Sequence, residues 1–129
     1  MFYKTTQTFT AGEWYQASTV EGPQKQHGTG AILAVDPATG DIKWRFDMVT
    51  TPSAGMLATA GGLVFSGDAQ GYAIAFDART GKVLWKFQTG GPIVAPPITY
   101  SIDGTQYVAV AAGGSMLAFA LPATEPPRH

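Results

Sequence analysis

Residues 30–44 read GAILAVDPATGDIKW, and residues 71–85 read GYAIAFDARTGKVLW. Both carry A-x-D-x-x-T-G-x-x-x-W: Ala34, Asp36, Thr39, Gly40 and Trp44 in the first copy, Ala75, Asp77, Thr80, Gly81 and Trp85 in the second. Equivalent positions stand 41 residues apart. A fading third copy, GSMLAFALP at 114–122, puts Ala118 where the other copies have Ala34 and Ala75. Self-similarity at roughly 40–45 residues marks the four-stranded blade of a β-propeller. The expected fold is therefore all-β: a partial β-propeller of about three blade-like antiparallel sheets.

Each copy has a local logic. Ile32, Ala34 and Asp36 alternate with Leu33 and Val35 as a half-buried strand requires. Asp36-Pro37-Ala38-Thr39-Gly40 then makes a hairpin turn. The Asp36 carboxylate accepts backbone N–H bonds inside the turn, Pro37 pre-sets φ, and Gly40 supplies the positive φ that closes it. Asp77-Ala78-Arg79-Thr80-Gly81 repeats the turn without proline. The returning strands place Ile42, Trp44 and Phe46, and then Val83, Trp85 and Phe87, on one face at period two. An indole repeated once per blade suits a contact between neighbouring blades. Trp44 and Trp85 are thus expected to be mostly buried, in equivalent places, each against backbone near the next repeat's turn. Ala34 and Ala75 stay small because something packs closely over them.

The organisation predicted for residues 1–129 is a single propeller fragment. Residues 1–46 form a partial blade of three strands, beginning with FYKTT at 2–6 and interrupted by a long polar loop at 7–29. Residues 47–90 form a complete blade from GMLATA, GLVFSG, YAIAFD and KVLWKF. Residues 91–122 form a partial blade from PPITYS, QYVAVAA and MLAFAL, and 123–129 are a tail. Propellers usually close with about 4–8 blades. One whole blade and two partial ones cannot close a ring, so the chain is expected either to be part of a longer protein or to assemble with copies of itself.

Composition narrows the function. Of 129 residues, 45% are hydrophobic and 13% charged, with 16 Gly and nine Pro, a profile of short strands joined by tight turns. The net charge is −1 and Lys and Arg never cluster, which argues against nucleic acid and anionic membranes as partners. The absence of cysteine excludes disulfides, thiolate metal sites and C-x-x-C-H haem attachment within the chain. No apolar run reaches the roughly 18–20 residues of a transmembrane helix, and MFYKTTQTFTAGEW lacks the apolar core of a signal peptide.

The A-x-D-x-x-T-G-x-x-x-W repeat resembles the tryptophan-docking motif of quinoprotein dehydrogenases that use pyrroloquinoline quinone (PQQ). The run GMLATAGGLVFSGDAQGYAIAFDARTGKVLWKFQTGGPIVAPPITYSIDGTQYVAVAAGG, residues 55–114, is similar to the C-terminal region of PQQ-dependent alcohol dehydrogenases. The likeness covers most of residues 30–122. It implies a segment of an eight-bladed, periplasmic propeller that oxidises alcohols or sugars with PQQ and a metal, usually calcium. It also implies that the catalytic Asp, the metal-binding Glu and Asn, the vicinal cysteines and the PQQ-stacking Trp belong to blades outside this chain, which contains no Asn at all. By this resemblance no catalytic or metal-binding residue is expected here. Met56, just before LATAG, is the single position the family places near PQQ, and an ordinary core residue is the competing reading. The tryptophan that commonly precedes this segment is absent from TTPSAGM. The resemblance implies that the chain alone binds neither PQQ nor calcium and is inactive. The alternative function is a non-catalytic propeller-type assembly or interaction module.

Other candidates are weaker. Asp36, Asp41 and Asp77 do not follow the D-x-[DN]-x-[DN]-G calcium pattern, and the turn role suits Asp36 and Asp77 better. Thr80-Gly81-Lys82 fails as a phosphate loop, since Phe76 stands where the first glycine belongs. Gly113-Gly114-Ser115 is not a nucleophile elbow, and only His27 and His129 could serve a serine as base. Trp44 and Trp85 read better as interblade contacts than as ligand platforms. Partial blades leave strand edges and apolar faces open, so self-association, by edge pairing or face-to-face docking, is the expected partnership if the chain stands alone.

Overall fold

The computed structural model describes residues 2–4, 8–13, 18–20 and 28–121. Eleven strands occur among them: β1 (Phe2–Lys4), β2 (Ser18–Val20), β3 (Gly30–Val35), β4 (Ile42–Met48), β5 (Leu57–Ala58), β6 (Leu63–Gly67), β7 (Tyr72–Asp77), β8 (Val83–Gln88), β9 (Ile98–Ile102), β10 (Thr105–Ala112) and β11 (Ser115–Ala120). No helix is present among the described residues. Every pairing is antiparallel between sequence neighbours. Sheet I is β3-β4, sheet II is β5-β6-β7-β8, and sheet III is β9-β10-β11. Three blade-like antiparallel sheets in a row make the chain a partial β-propeller.

The sequence reading departs from the structure at its start. Phe2–Lys4 does not join sheet I as a third strand. It pairs with Ser18–Val20, a strand inside the stretch read as loop, to form a separate two-stranded sheet. An alternating STV segment of three residues is too short for periodicity to reveal. The first strand of the middle blade is also shorter than GMLATA suggested, covering only Leu57–Ala58. Trp14, His27 and the 123–129 tail lie outside the described residues.

Two layers of side chains hold the three sheets together. Between sheets I and II lie Ile32, Met48, Ile74 and Phe76, with Trp44, Phe46, Val64, Tyr72 and Val83 packed around them. Between sheets II and III lie Ala54, Ala73, Ile93, Val108, Val110 and Ala112, flanked by Leu57, Phe65, Trp85, Leu117 and Phe119. Strand β7 belongs to both layers, which is why its apolar run is buried on both faces rather than alternating. Ile74 and Phe76 face sheet I while Ala73 faces sheet III. The small side chain at 73 lets the larger residues of sheet III approach.

The crossing from sheet II to sheet III is tied at both ends. The Thr89 N–H and Oγ1 both donate to the Gly71 carbonyl at 2.8 Å, and the Ile93 N–H donates to the Asp68 carbonyl at 3.0 Å. The Gly113 N–H donates to the Pro92 carbonyl at 2.9 Å. Asp68, buried, also accepts the Tyr72 N–H on its Oδ1 at 2.8 Å. These bonds fix the angle between sheets II and III.

Candidate interblade site

The site grows from the two A-x-D-x-x-T-G-x-x-x-W turns. In the second, Asp77 Oδ1 accepts the Arg79 N–H at 2.9 Å, the Thr80 N–H at 2.9 Å and the Thr80 hydroxyl at 3.0 Å. The Gly81 N–H returns to the Asp77 carbonyl at 2.9 Å with φ at +71°. In the first, Asp36 Oδ1 accepts the Ala38 N–H at 2.9 Å, and the Gly40 N–H reaches the Asp36 carbonyl at 2.8 Å with φ at +80°. A register shift stands at Ala34/Val35 and again at Ala75/Phe76, the bulge such turns impose, and it puts Val83 in the layer facing sheet I while Trp85 packs into the layer facing sheet III, so these two do not share the single face that period two suggested. The two turns share this backbone, but the Thr39 hydroxyl donates to Asp41 Oδ2 at 2.8 Å where the Thr80 hydroxyl donates to Asp77.

Both carboxylates are held below the ordinary aspartate range. For Asp36 the main cause is the Ala38 N–H, followed by Lys43, whose Nζ lies 3.1 Å from Oδ2. For Asp77 the main cause is the Thr80 hydroxyl, followed by the Thr80 N–H. Donors aimed at a carboxylate favour its charged form. These aspartates are therefore spent on folding the turn, as the sequence pattern predicts.

The turn of sheet II meets the tryptophan of sheet I. The Trp44 Nε1–H donates to the Ala78 carbonyl at 2.9 Å, across 34 residues of chain. A Cβ placed on Gly81 would lie 2.6 Å from Trp44 Cδ2, closer than real Cβ atoms come. Glycine is needed at 81 for two reasons, its φ and the indole lying against it. Trp44 stacks on Phe76 with centroids 6.3 Å apart and 22° between planes, and Phe46 meets the same ring edge-on at 4.9 Å. Directly opposite Trp44 on its own sheet stands Ala34, small enough to leave the indole room.

Trp85 differs from its copy. It pairs with Ala75 as Trp44 pairs with Ala34. Yet it stacks on Phe87 at 5.9 Å and meets Phe119 edge-on at 4.9 Å, and its Nε1 makes no hydrogen bond among the described residues. Sheet III carries no D-x-x-T-G turn to receive it. Both tryptophans are mostly buried, as expected, although neither is fully so. Each sits on the strand at the edge of its sheet, so the neighbouring sheet covers the indole on one side only.

Met56 stands immediately before β5 and is 44% exposed in this chain. Behind it the Ser66 hydroxyl donates to the Gly55 carbonyl at 3.3 Å, and Gly55 backs onto Pro96. The described residues do not by themselves fit calcium. No group of three or more His, Cys, Asp or Glu side chains among them could hold a metal ion. Of the cations whose side chains are described, Arg45 is paired with Asp47, Lys43 with Asp36, and Lys86 lies over the Tyr72 ring, which leaves Arg79 and Lys82, at the Asp77–Gly81 turn, for a tricarboxylate such as PQQ. Among the described residues no helix is long and apolar enough to cross a membrane.

Sequence reasoning missed Ala78 and Phe119. A backbone carbonyl acceptor leaves no mark in a sequence, because any residue supplies it. Phe119 was visible only as the residue after Ala118 in the degenerate third copy.

Comparison with known proteins agrees with this geometry. The PQQ_2 family, described as outer membrane protein assembly factor BamB, matches residues 28–123. A quinoprotein ethanol dehydrogenase of Pseudomonas aeruginosa is 52% identical over 84 residues, covering 65% of this chain and 14% of that protein. The crystal structure of quinohemoprotein alcohol dehydrogenase from Comamonas testosteroni superposes with a TM-score of 0.65 at 39% identity, over 78% of this chain and 15% of that one. BamB from Moraxella catarrhalis superposes with a TM-score of 0.53 at 26% identity, over 63% of this chain and 24% of that one. The chain spans about one seventh of the length of the dehydrogenases it matches.

Proposed function

This chain belongs to the PQQ_2 family, and on that premise we propose that it is a propeller segment of a PQQ-dependent alcohol or sugar dehydrogenase, its place in the ring being towards the C-terminal end. One observation carries the reading: in superposition the identity is 39% to the Comamonas testosteroni quinohemoprotein alcohol dehydrogenase, over 78% of this chain, against 26% to BamB over 63%. In this reading the chain's contribution is architectural. Ala34, Asp36, Thr39, Gly40 and Trp44, with Ala75, Asp77, Thr80, Gly81 and Trp85, act as docking motifs that set one blade against the next. The redox chemistry is supplied by PQQ and its metal, held by blades that this chain lacks. Met56 is the one residue here offered to the edge of that pocket. Taken alone the chain is inactive, and the parent enzyme is periplasmic.

The second reading is a non-catalytic assembly module. The BamB description of the matching family and the BamB superposition favour it. The flanking coding sequence separates the two. A continuous upstream frame with further A-x-D-x-x-T-G-x-x-x-W repeats, an Asn–Glu metal pair and vicinal cysteines supports the dehydrogenase. An upstream frame with propeller repeats and none of those residues supports the module and overturns the first reading.

A further inference from the structure

Of the six aspartates in the chain, five have carboxylates held by named partners. Asp36 accepts the Ala38 N–H and faces Lys43 Nζ. Asp41 accepts the Thr39 hydroxyl, and Asp47 pairs with Arg45. Asp68 accepts the Tyr72 N–H, and Asp77 accepts the Thr80 N–H and hydroxyl. Asp103 is the exception. It is exposed, and among the described residues its carboxylate accepts no hydrogen bond and joins no ion pair.

Its place in the chain adds to this. Ile102 pairs with Thr105, so Asp103 and Gly104 alone turn β9 into β10. Both have positive φ, +49° and +79°, as the central residues of a type I′ turn do. Asp103 is the single non-glycine residue with positive φ among the described residues. An L-residue there crowds its Cβ against the following carbonyl, so the loop is locally strained. Gly104 completes the arrangement. It is exposed, its N–H donates to no acceptor among the described residues, and nothing lies within 4 Å of the Cβ it lacks. The other aspartates are followed by Pro37, Ile42, Met48, Ala69 and Ala78. Proline has no N–H to lose, and the rest shield their nitrogen with a side chain. The chain has no asparagine, so Asp103-Gly104 is its one pair of this kind.

We propose that Asp103-Gly104 is a site of covalent rearrangement, where the chain passes through a succinimide to isoaspartate. The Gly104 nitrogen attacks Asp103 Cγ. The N–Cγ bond forms and a Cγ–O bond of the carboxyl group breaks. That oxygen leaves as water, with the amide hydrogen and the carboxyl proton. Water then adds to the backbone carbonyl carbon of Asp103 in the ring and breaks its bond to nitrogen, which leaves Gly104 joined through Cγ. The mass is unchanged, and water is the only co-reactant. The product carries Cβ in the main chain and a carboxylate on Cα. The consequence falls on β9. A lengthened loop cannot hold Ile102 opposite Thr105 as before, since loop length fixes hairpin register. Every residue of β9 is exposed, so its ladder with β10 and the bond from the Thr99 hydroxyl to the Tyr107 carbonyl are what hold it. Conversion therefore loosens β9, and with it the Tyr100–Tyr107 stack at 5.3 Å.

The test ages the full chain at neutral pH beside the peptide YSIDGTQYV, residues 100–108. Isoaspartate is read by methyl uptake from labelled S-adenosylmethionine with an isoaspartyl carboxyl methyltransferase. Its place is read in the tryptic peptide 87–128, whose one aspartate is Asp103, by resistance to an endoproteinase that cuts before aspartate. Isoaspartate is expected at 103 before any other position, at no less than about one tenth of the peptide's rate, because an exposed turn opens at little cost. Asp103→Gly, which suits the positive φ and removes the carboxyl group, should abolish the methyl uptake. In the converted chain the β9 amides that face β10 should exchange faster. Slower conversion at 103, earlier isoaspartate elsewhere, methyl uptake undiminished by Asp103→Gly, or unchanged β9 exchange after conversion overturns the proposal. None of these readouts uses an alcohol or PQQ, so the site and the enzymatic reading fail separately.

Discussion

Trp44 and Gly81 stand in different sheets, yet each fixes the other: the indole donates to the Ala78 carbonyl and lies where a Cβ on residue 81 would have to go, 2.6 Å from Cδ2. Gly40 occupies the same place in the same turn with no indole of the described residues over it. Two substitutions separate backbone strain from contact. Gly40→Ala meets only the left-handed φ, costing about 1–2 kcal/mol. Gly81→Ala meets that and the indole, and is expected to cost about 1–3 kcal/mol more. Denaturant unfolding of the two variants measures the difference. Equal losses would mean that the Trp44 contact contributes nothing beyond the turn.

The two tryptophans should respond differently to loss of the indole N–H. Trp44→Phe removes a hydrogen bond across the sheets and leaves the Ala78 carbonyl without it, at about 1 kcal/mol. Trp85→Phe removes none among the described residues and should cost less. Trp85→Ala should cost about 2–3 kcal/mol, below the 3–5 kcal/mol of a fully buried aromatic, because Trp85 is not fully buried. Similar losses for the two Phe variants would place an unseen partner on Trp85.

Acid should unmake the turns. Asp36 and Asp77 have folded pKa values below the ordinary 3.8, so their contribution to stability is complete above that value and is lost as pH falls through the lower folded values. Asp77→Asn keeps an acceptor oxygen but cannot titrate. Its stability is expected to be lower than the parent's at neutral pH and to fall less steeply between pH 4 and the acid limit. Parallel acid limbs for parent and variant would show that Asp77 is not held ionised by Thr80.

Among the described residues, sheet III ends in an unpaired edge strand, β11, and carries a face on which Ile98, Tyr100, Ile102 and Met116 are all exposed. Contiguous apolar patches beyond a few hundred Å² are rare on monomers. The isolated chain is therefore expected to self-associate through this face and edge. Sedimentation at micromolar concentration should show a dimer or larger species that the double variant Tyr100→Lys, Ile102→Lys returns to monomer. A sharp monomer for the parent chain would contradict this.

How much of this was legible in the sequence follows from where the repeat is intact. The blade periodicity and both D-x-x-T-G turns are local or periodic properties, and they were visible in the 30–44 and 71–85 copies; the sequence showed only that Ala34 and Ala75 stay small, and the structure supplies Trp44 and Trp85 as the residues opposite them. The Ala78 acceptor and the distinct fate of Trp85 were not, because they depend on which backbone the neighbouring sheet presents. Sheet III, with no turn like Asp77–Gly81, offers Phe119 instead. The three-residue strands β1 and β2 are too short to carry a period. Met56 came from a family likeness alone, and nothing in its own surroundings in the structure assigns it a ligand.

The central claim is that this chain supplies part of a quinoprotein propeller and no chemistry by itself. The direct measurement is PQQ-dependent, dye-linked alcohol oxidation by two proteins assayed side by side with calcium. One is the natural chain. The other is Comamonas testosteroni quinohemoprotein alcohol dehydrogenase with its matching segment replaced by residues 28–121. The account predicts activity in the folded chimera and none in the chain alone. Alcohol oxidation by the isolated chain that disappears without PQQ, or a folded chimera devoid of activity, would contradict it.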